Sequence, residues 1–463
     1  MSAAAYPFSL EPVVVPRVET RHRRIVTPLP VPESLPILRD LIAYEPASMA
    51  REQLPVVWDR AEGATVADAW GNRWIDFSSG IFVANVGHGH PDVVRAIEAQ
   101  LARPLLHNYY FPSAVRAALV KTLVRACGPP AEKAFLLTTG GETVECAIKL
   151  ARLRGRRRAP DKLGIVSFTG AFHGKTMGAQ MAGGTPESKA WIGAHDPHMH
   201  QIPFPFCQRC PWGRAGWDGC GAECFAQGMA QLAARGVRFD TIAAFVLESY
   251  QGWGAMFYPD DYVRAVRAFA DRHDALLVFD EVQAGFGRTG TLFAFQQYGV
   301  RADLVCCGKG MASGLPISAV LGAAEVLDVD PSLNSTHSGN PLAAAAALAT
   351  LEVLEREDLA ATAAKTGRPV EAALRALAAR HPRHVSLVLG RGLVWAVHLV
   401  DPATGALDAA LGDRVTEAAM RKGLLMVRTG AGTLKVGPPL GIAEDMVREG
   451  IDVLGEALAE CAA

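Results

Sequence analysis

Two reactive side chains follow short apolar runs in this sequence. Asp280 follows Leu276–Phe279 (LLVF), and Lys309 follows Leu304–Cys307 with a glycine on either side. Such runs predict buried strands, and ligands bind α/β folds at the carboxyl edge of a parallel sheet. A lysine among small and apolar residues loses hydration, which lowers its pKa and makes its amine a nucleophile that forms imines. The pair predicts imine chemistry beside a carboxylate; a solvated turn lysine and a turn-capping aspartate are the alternatives.

Three further segments could hold a flat, phosphorylated cofactor. Thr138–Glu142 (TTGGE) leads from a short apolar run into an amphipathic stretch, so its glycines could expose helix N–H groups to a phosphate. Ser335–Pro341 (STHSGNP) also enters a helix and offers either a second phosphate contact or an ordinary N-cap. Ala171–Lys175 (AFHGK) places an aromatic ring in a glycine-bounded turn, where it could stack on a ring or belong to the core.

These segments together predict pyridoxal phosphate as the cofactor. Pyridoxal phosphate requires an imine lysine, a carboxylate that keeps the ring nitrogen protonated, a phosphate cup at a helix N-terminus and an aromatic side chain on the ring. All four are present in this chain.

The composition of the chain limits the kind of fold that can position these residues. The chain has 463 residues, of which 50% are hydrophobic and 20% charged, so it can bury a large core and form two or three domains. The net charge is −1, which provides no case for nucleic-acid or acidic-membrane binding. The apolar runs are too short to span a bilayer and the N-terminus lacks the order of a signal peptide, so we expect a cytoplasmic protein.

The order of elements predicts three parts. Residues 1–84 form a Pro-rich N-terminal arm and strands that contribute to a small domain. Residues 85–345 alternate helices with short apolar strands, which indicates a large α/β domain with a mostly parallel sheet covered by helices on both faces. Residues 346–463 read as a smaller α+β domain.

Beyond the N-terminal arm, the sequence resembles the class III aminotransferases. This subgroup of fold-type I pyridoxal-phosphate enzymes contains the ω-amino acid and 4-aminobutyrate aminotransferases. The resemblance is carried in family order by GNRWIDFSSGIFVANVGHGHP, ETVECAIKLAR, FHGKT, LVFDEVQAGFGRTG, CGKGMASGLPISA, SGNPLAAAAAL and GRGLVWAVHL.

The resemblance implies roles for five residues around the cofactor ring. Lys309 would form the internal aldimine and then transfer protons. Asp280 would pair with the pyridinium nitrogen. Val282 and Phe172 would pack on opposite ring faces, and Gln283 would reach the ring hydroxyl.

The resemblance also implies five more cofactor contacts. Gly140 and Gly141 would bind the phosphate through backbone N–H groups. Thr336 would reach that phosphate from a neighbouring subunit, which implies a homodimer with shared active sites and leaves a tetramer open. His173 would tune the ring environment, and Glu248 is retained from the family's EPxQG segment.

The substrate side departs from the 4-aminobutyrate branch. Trp253 stands where that branch has a glutamate that pairs with an arginine, here Arg391. Lys175 stands where that branch has an arginine for the distal carboxylate. With Phe82 as a pocket wall, these residues imply an amine or ω-amino acid substrate with an anionic tail and a 2-oxo acid acceptor. A lyase acting on an aminoalkyl phosphonate or phosphate, and an amino-acid racemase or epimerase, are the alternatives.

Four of the nine cysteines cluster as Cys207, Cys210, Cys220 and Cys224. Their CxxC–x9–CxxxC spacing fits a structural zinc site, while packed thiols or disulfides are the alternatives. We expect no metal in the catalytic site, and we expect the histidines of residues 194–200 to be solvated.

Overall fold

A computed structural model describes residues 6–213 and 219–462. These residues form two compact units: Pro91–Ala361 make up the large unit, and the described residues up to His90 and from Thr362 onwards make up the small unit. We expected boundaries after residues 84 and 345; helix α12, defined below, spans the second of these positions and packs against α4 and α5 within the large unit.

In chain order the strands are β1 (Val18–Glu19), β2 (Arg24–Ile25), β3 (Arg60–Glu62), β4 (Thr65–Ala67), β5 (Arg73–Asp76), β6 (Lys133–Leu137), β7 (Gly164–Phe168), β8 (Met199–Ile202), β9 (Ile242–Glu248), β10 (Tyr250–Gln251), β11 (Met256–Phe257), β12 (Leu276–Asp280), β13 (Leu304–Cys307), β14 (Ser318–Gly322), β15 (Val385–Arg391), β16 (Val394–Leu399), β17 (Leu424–Leu425), β18 (Val427–Arg428) and β19 (Thr433–Val436).

The α-helices are α1 (Leu35–Tyr44), α2 (Ala47–Ala50), α3 (Ser79–Phe82), α4 (Pro91–Leu101), α5 (Ala114–Cys127), α6 (Gly140–Arg158), α7 (Met177–Ala182), α8 (Pro186–Lys189), α9 (Gly221–Ala234), α10 (Asp260–Arg272), α11 (Ala324–Leu327), α12 (Pro341–Arg356), α13 (Leu359–Arg380), α14 (Ala409–Arg421) and α15 (Glu444–Cys461).

The large unit is built on a seven-stranded sheet in the order β6-β14-β13-β12-β9-β7-β8. The pairs β13/β12, β12/β9, β9/β7 and β7/β8 are parallel, whereas β14 runs antiparallel to both of its neighbours. Every residue of β7, β9, β12 and β13 is buried, because an apolar strand in a parallel sheet is covered on both faces. The predicted α/β class and the predicted strands of this sheet are confirmed.

The small unit combines N-terminal and C-terminal segments. Strands β1–β5 form an antiparallel sheet in the order β1-β2-β5-β4-β3, and β17 adds to β5 in parallel. A second antiparallel sheet has the order β15-β16-β19-β18. Ile25, Val66 and Trp74 pack with Met420 and Leu425 in one apolar cluster, so residues from the two ends of the chain share a core.

Among the described residues, none of the helices has both the length and the apolar character needed to cross a bilayer.

Candidate active site

One cavity of about 450 Å³ in the large unit collects most of the residues that the sequence singles out. It lies where β9, β12 and β13 end, as expected for a ligand site in a mainly parallel sheet. Ten predicted residues line it: Gly140, Gly141, Phe172, His173, Lys175, Glu248, Asp280, Val282, Gln283 and Lys309.

Strand register brings two carboxylates to this edge. Asp280, the last residue of β12, pairs in register with Glu248, the last residue of β9. On its other side Asp280 pairs with Cys306 of β13, and Lys309 follows that strand. Lys309 begins a 3₁₀ turn with φ of 39°, a backbone conformation that L-residues seldom adopt and that is common at functional sites. The short connection after β13 therefore holds the lysine beside both acids.

Asp280 is held from two directions. Its Oδ2 lies 2.9 Å from Nδ1 of His173, and its Oδ1 accepts a hydrogen bond from the Val282 N–H at 3.1 Å. Burial opposes a charge on His173, but the hydrogen bond to Asp280 and the negative charges of Asp280 and Glu248 outweigh it, so the pKa of His173 is raised. The other ring nitrogen of His173, Nε2, is buried without a partner among the described residues. An imidazolium donating to Asp280 would hold that carboxylate in a fixed orientation.

Glu248 joins two loops at the cavity. Its carboxylate accepts from the N–H of Phe172 and from the N–H of Gly252, both at 2.9 Å. Burial raises the pKa of Glu248 to about 7, and the charge of nearby His173 opposes that rise. The side chain therefore fixes the turn that carries Phe172.

The amine of Lys309 is suited to act as a nucleophile. Burial lowers the pKa of Lys309, while the charges of Asp280 and Glu248 oppose that shift. Nζ makes no hydrogen bond to any residue that the structure describes. An amine at the cavity wall that has a lowered pKa and no hydrogen-bond partner among the described residues fits imine formation.

The opposite part of the cavity is the start of α6. Thr139 caps this helix, and Glu142 accepts hydrogen bonds from the N–H groups of Thr138 and Thr139 at 2.9 and 2.7 Å. The N–H groups of Gly140 and Gly141 have no acceptor among the described residues. They are thus free to bind an anion at the positive end of a long helix.

Gly140 must be a glycine because a neighbour fills the space beside it. A Cβ at this position would lie 2.6 Å from Cγ1 of Val282, well inside contact distance. The close approach lets Val282 form one wall of the cavity next to the α6 terminus.

Three residues of the cavity wall have no role predicted from the sequence: Thr176, Tyr250 and Ala284. Tyr250 is buried and its hydroxyl donates to Oε1 of Gln283 at 3.2 Å. Thr176 also lines the cavity. Strand alternation could have indicated Tyr250, which follows Glu248 by two residues, and Thr176 directly follows Lys175.

Four predicted residues are not part of this cavity wall. Trp253 donates from Nε1 to Oε1 of Gln251 at 3.3 Å. Thr336 lies exposed in the loop before α12. Phe82 and Arg391 belong to the small unit, where Phe82 is 2% exposed and Arg391 ends β15.

The residues present fit pyridoxal phosphate. The cavity joins an unbonded lysine amine, an oriented aspartate and a helix terminus with two free N–H groups, which match the aldehyde, ring nitrogen and phosphate of that molecule. The half-exposed ring of Phe172 and the side chain of Val282 are available as apolar faces.

The four clustered cysteines lie outside the cavity. All are free thiols of intermediate burial, and Trp212 donates from Nε1 to Sγ of Cys224 at 3.1 Å. Within the described residues, none of the four belongs to a group of three ligand atoms that all lie within 4.8 Å of one another. The zinc site therefore stays a prediction.

Comparison with known proteins gives consistent results. The family model described as aminotransferase class-III matches residues 47–458. The 4-aminobutyrate aminotransferase GabT of Escherichia coli is 34% identical over 416 residues, which cover 88% of this chain and 94% of the relative. The leucine/methionine racemase of Thermococcus litoralis is 33% identical over 413 residues, which cover 88% and 91%.

A solved structure is similar to this chain over most of its length. The amine transaminase from an uncultivated Pseudomonas species, in its PLP-bound form, superposes with a TM-score of 0.82 at 30% identity and covers 90% of this chain and 97% of that one.

Proposed function

The chain belongs to the class-III aminotransferases and is a pyridoxal-phosphate-dependent transaminase, and from that premise we propose that it transfers an amino group from an ω-amino acid to a 2-oxo acid. The observation that carries the substrate class is that Lys175 lines the cofactor cavity. A cation there can pair with the carboxylate at the far end of an ω-amino acid. The similarity to a 4-aminobutyrate aminotransferase supports the same class.

We assign the cofactor to the residues that already face one another. Lys309 binds the aldehyde, Asp280 pairs with the ring nitrogen, and the N–H groups of Gly140 and Gly141 bind the phosphate. Phe172 and Val282 enclose the ring, and Gln283, held by Tyr250, reaches the ring hydroxyl. When bound, the cofactor withdraws electrons from the carbon that carries the substrate's amine and so acidifies its C–H bond.

The side chains supply the remaining chemistry. Asp280, held in place by His173, would stabilise positive charge at the ring nitrogen. Because burial lowers the pKa of Lys309, its Nζ would be suited to act as the base that takes the proton from the substrate carbon and delivers it to the former aldehyde carbon of the cofactor. Glu248 fixes the turn that carries Phe172, which would place this ring beside the cofactor.

A racemase is the second candidate, since one relative of similar identity carries that name. The two activities share the first proton transfer and differ in where Lys309 returns the proton. Return to the opposite face of the original carbon would give the mirror-image amino acid and needs no acceptor.

One experiment separates these activities. Purified holoenzyme is incubated with 4-aminobutyrate, its five-carbon homologue or L-leucine, each with and without 2-oxoglutarate, and products are resolved by chiral chromatography. We expect L-glutamate from the ω-amino acids only when the acceptor is present. D-leucine formed without acceptor, with no glutamate from the ω-amino acids, would overturn the proposal.

We also propose a homodimer in which Thr336 serves the partner's cavity. In its own subunit Thr336 is exposed and does not line the cavity. The loop that carries it is hydrogen-bonded to a segment with exposed apolar side chains. Asn340 donates to the carbonyl of Leu106 at 2.7 Å, and Tyr110 and Phe111 are 76% and 73% exposed. An exposed apolar cluster of this kind fits a protein interface.

A further inference from the structure

A hydroxyl group without an assigned role faces the start of α6. If Gly141 carried a Cβ, that atom would lie 3.6 Å from Oγ1 of Thr176, an ordinary contact distance. Thr176 belongs to the cavity wall, as do Gly140 and Gly141. The threonine and the two glycines therefore face the same space.

The hydroxyl of Thr176 does not cap α7, although a threonine at the N-cap position usually caps its helix. Thr176 stands at the N-cap of α7 but makes no side-chain capping hydrogen bond. Glu145 of α6 caps α7 instead, because its Oε1 accepts from the N–H groups of Gly178 and Ala179 at 2.8 and 3.0 Å. Because Glu145 takes over the capping role that a threonine at this position usually has, the hydroxyl of Thr176 is left for another partner.

The start of α6 offers few free N–H donors to a phosphate dianion. The N–H groups of Thr138, Thr139 and Glu142 are already engaged by the capping box, and only those of Gly140 and Gly141 remain. Gly141 itself contributes no side chain. Independently of the helix terminus, the buried Nε2 of His173 lacks a partner in the described chain, and His173 lines the same cavity, which indicates a ligand there.

We propose that Thr176 is a phosphate ligand of the cofactor, donating its hydroxyl beside the Gly140 and Gly141 N–H groups. The proposal rests on the proposed function, because it assumes that pyridoxal phosphate occupies the cavity. The adjacent Lys175 then serves the substrate's anionic tail, so neighbouring residues of one turn bind two different anions.

The test compares cofactors with and without a phosphate. Apo-protein is reconstituted with pyridoxal phosphate or with pyridoxal, and dissociation constants are measured from the bound chromophore for wild type, Thr176→Val and Thr176→Ser. Valine keeps the shape of threonine and removes the hydroxyl, whereas serine keeps the hydroxyl. A hydrogen bond to a charged group predicts about 10-fold or greater weakening of pyridoxal phosphate binding by Thr176→Val, unchanged pyridoxal binding, and near-wild-type binding by Thr176→Ser.

Other outcomes overturn the proposal. Equal weakening of both cofactors by Thr176→Val would show a packing effect. Unchanged binding of pyridoxal phosphate, together with a raised KM for the ω-amino acid, would assign the hydroxyl to the substrate. Wild-type protein that binds pyridoxal phosphate at Lys309 but fails the amino-transfer assay would contradict the proposed function while leaving the phosphate comparison intact.

Discussion

Nδ1 of His173 lies 2.9 Å from Oδ2 of Asp280, although the two residues are 107 positions apart in the chain. Both side chains are buried at the carboxyl edge of the large sheet. The geometry makes His173 a positioning residue for the carboxylate that we propose pairs with the cofactor's ring nitrogen.

This pair predicts a graded loss of activity. Asp280→Asn removes the negative charge and should lower kcat by about 100-fold or more, since electrostatic stabilisation of that size is typical of a pre-arranged charge. His173→Gln keeps a neutral donor and should lose less. Steady-state kinetics measure both, and borohydride labelling of Lys309 confirms that each variant still holds the cofactor. A larger loss of kcat in His173→Gln than in Asp280→Asn would show that His173 acts directly rather than through Asp280.

The two glycines at the α6 terminus provide a matched pair. Gly140→Ala should weaken pyridoxal phosphate binding, because its Cβ would overlap Val282, whereas Gly141→Ala places a Cβ at 3.6 Å from Thr176 and should bind the cofactor nearly as wild type does. Cofactor content after dialysis measures the difference. If both variants retained the cofactor equally, Val282 would not be fixed against Gly140 as described.

Lys175 predicts substrate selectivity. Lys175→Met should raise the KM for 4-aminobutyrate by about 10-fold, because one charge-assisted contact is lost, and should leave a neutral primary amine unaffected. Lys175→Arg restores the cation and serves as the control. A similar rise in KM for 4-aminobutyrate and for an amine without a carboxylate would argue against a carboxylate contact at Lys175.

Subunit mixing tests the shared site. Lys309→Ala and Thr336→Glu should each be inactive, since the first lacks the amine and the second repels the phosphate. Refolded together, the two variants should recover about a quarter of wild-type activity, because half of the statistical dimers contain one intact site. No recovery in verified mixed dimers would place Thr336 outside the partner's site.

Glu281 predicts a pH-dependent stability. Its carboxylate is buried and accepts hydrogen bonds from the Ser249 hydroxyl and from the Ala294 and Phe295 N–H groups. Burial raises the pKa of Glu281 to about 7, although these hydrogen bonds oppose the shift. The folded state therefore holds the proton more tightly than the unfolded chain, and this stabilisation, fully present below about pH 4.5, is lost as the pH rises through 7.

The measurement uses apo-protein melting temperatures at pH 5 and pH 8. Glu281→Gln should lower the melting temperature by about 2 to 4 °C at pH 5 and by less at pH 8, because only wild type loses stability on deprotonation. Glu187 is exposed, so Glu187→Gln should change the melting temperature by the same small amount at pH 5 and at pH 8. A difference in melting temperature between wild type and Glu281→Gln that is larger at pH 8 than at pH 5 would contradict the raised pKa of Glu281.

Much of the site could be predicted because its parts are local. Asp280 and Lys309 each follow an apolar run, and Gly140 and Gly141 follow another at a helix start, so strand and helix ends already imply one sheet edge. Trp253 and Thr336 show the limit of that reasoning. Their order in the chain could be matched to a family, but their distance from the cavity wall depends on how the loops fold back.

By itself, the sequence determined the elements, the chemistry of the lysine and aspartate, and the kind of cofactor they bind, because each depends on residues that are near neighbours in the chain. Only the tertiary structure decided which distant groups meet. The pairing of His173 with Asp280, the capping of α7 by Glu145 and the resulting free hydroxyl of Thr176 arise from strand order and from loops that return to one edge. Those contacts are set by packing between segments far apart in the chain, which no local pattern encodes.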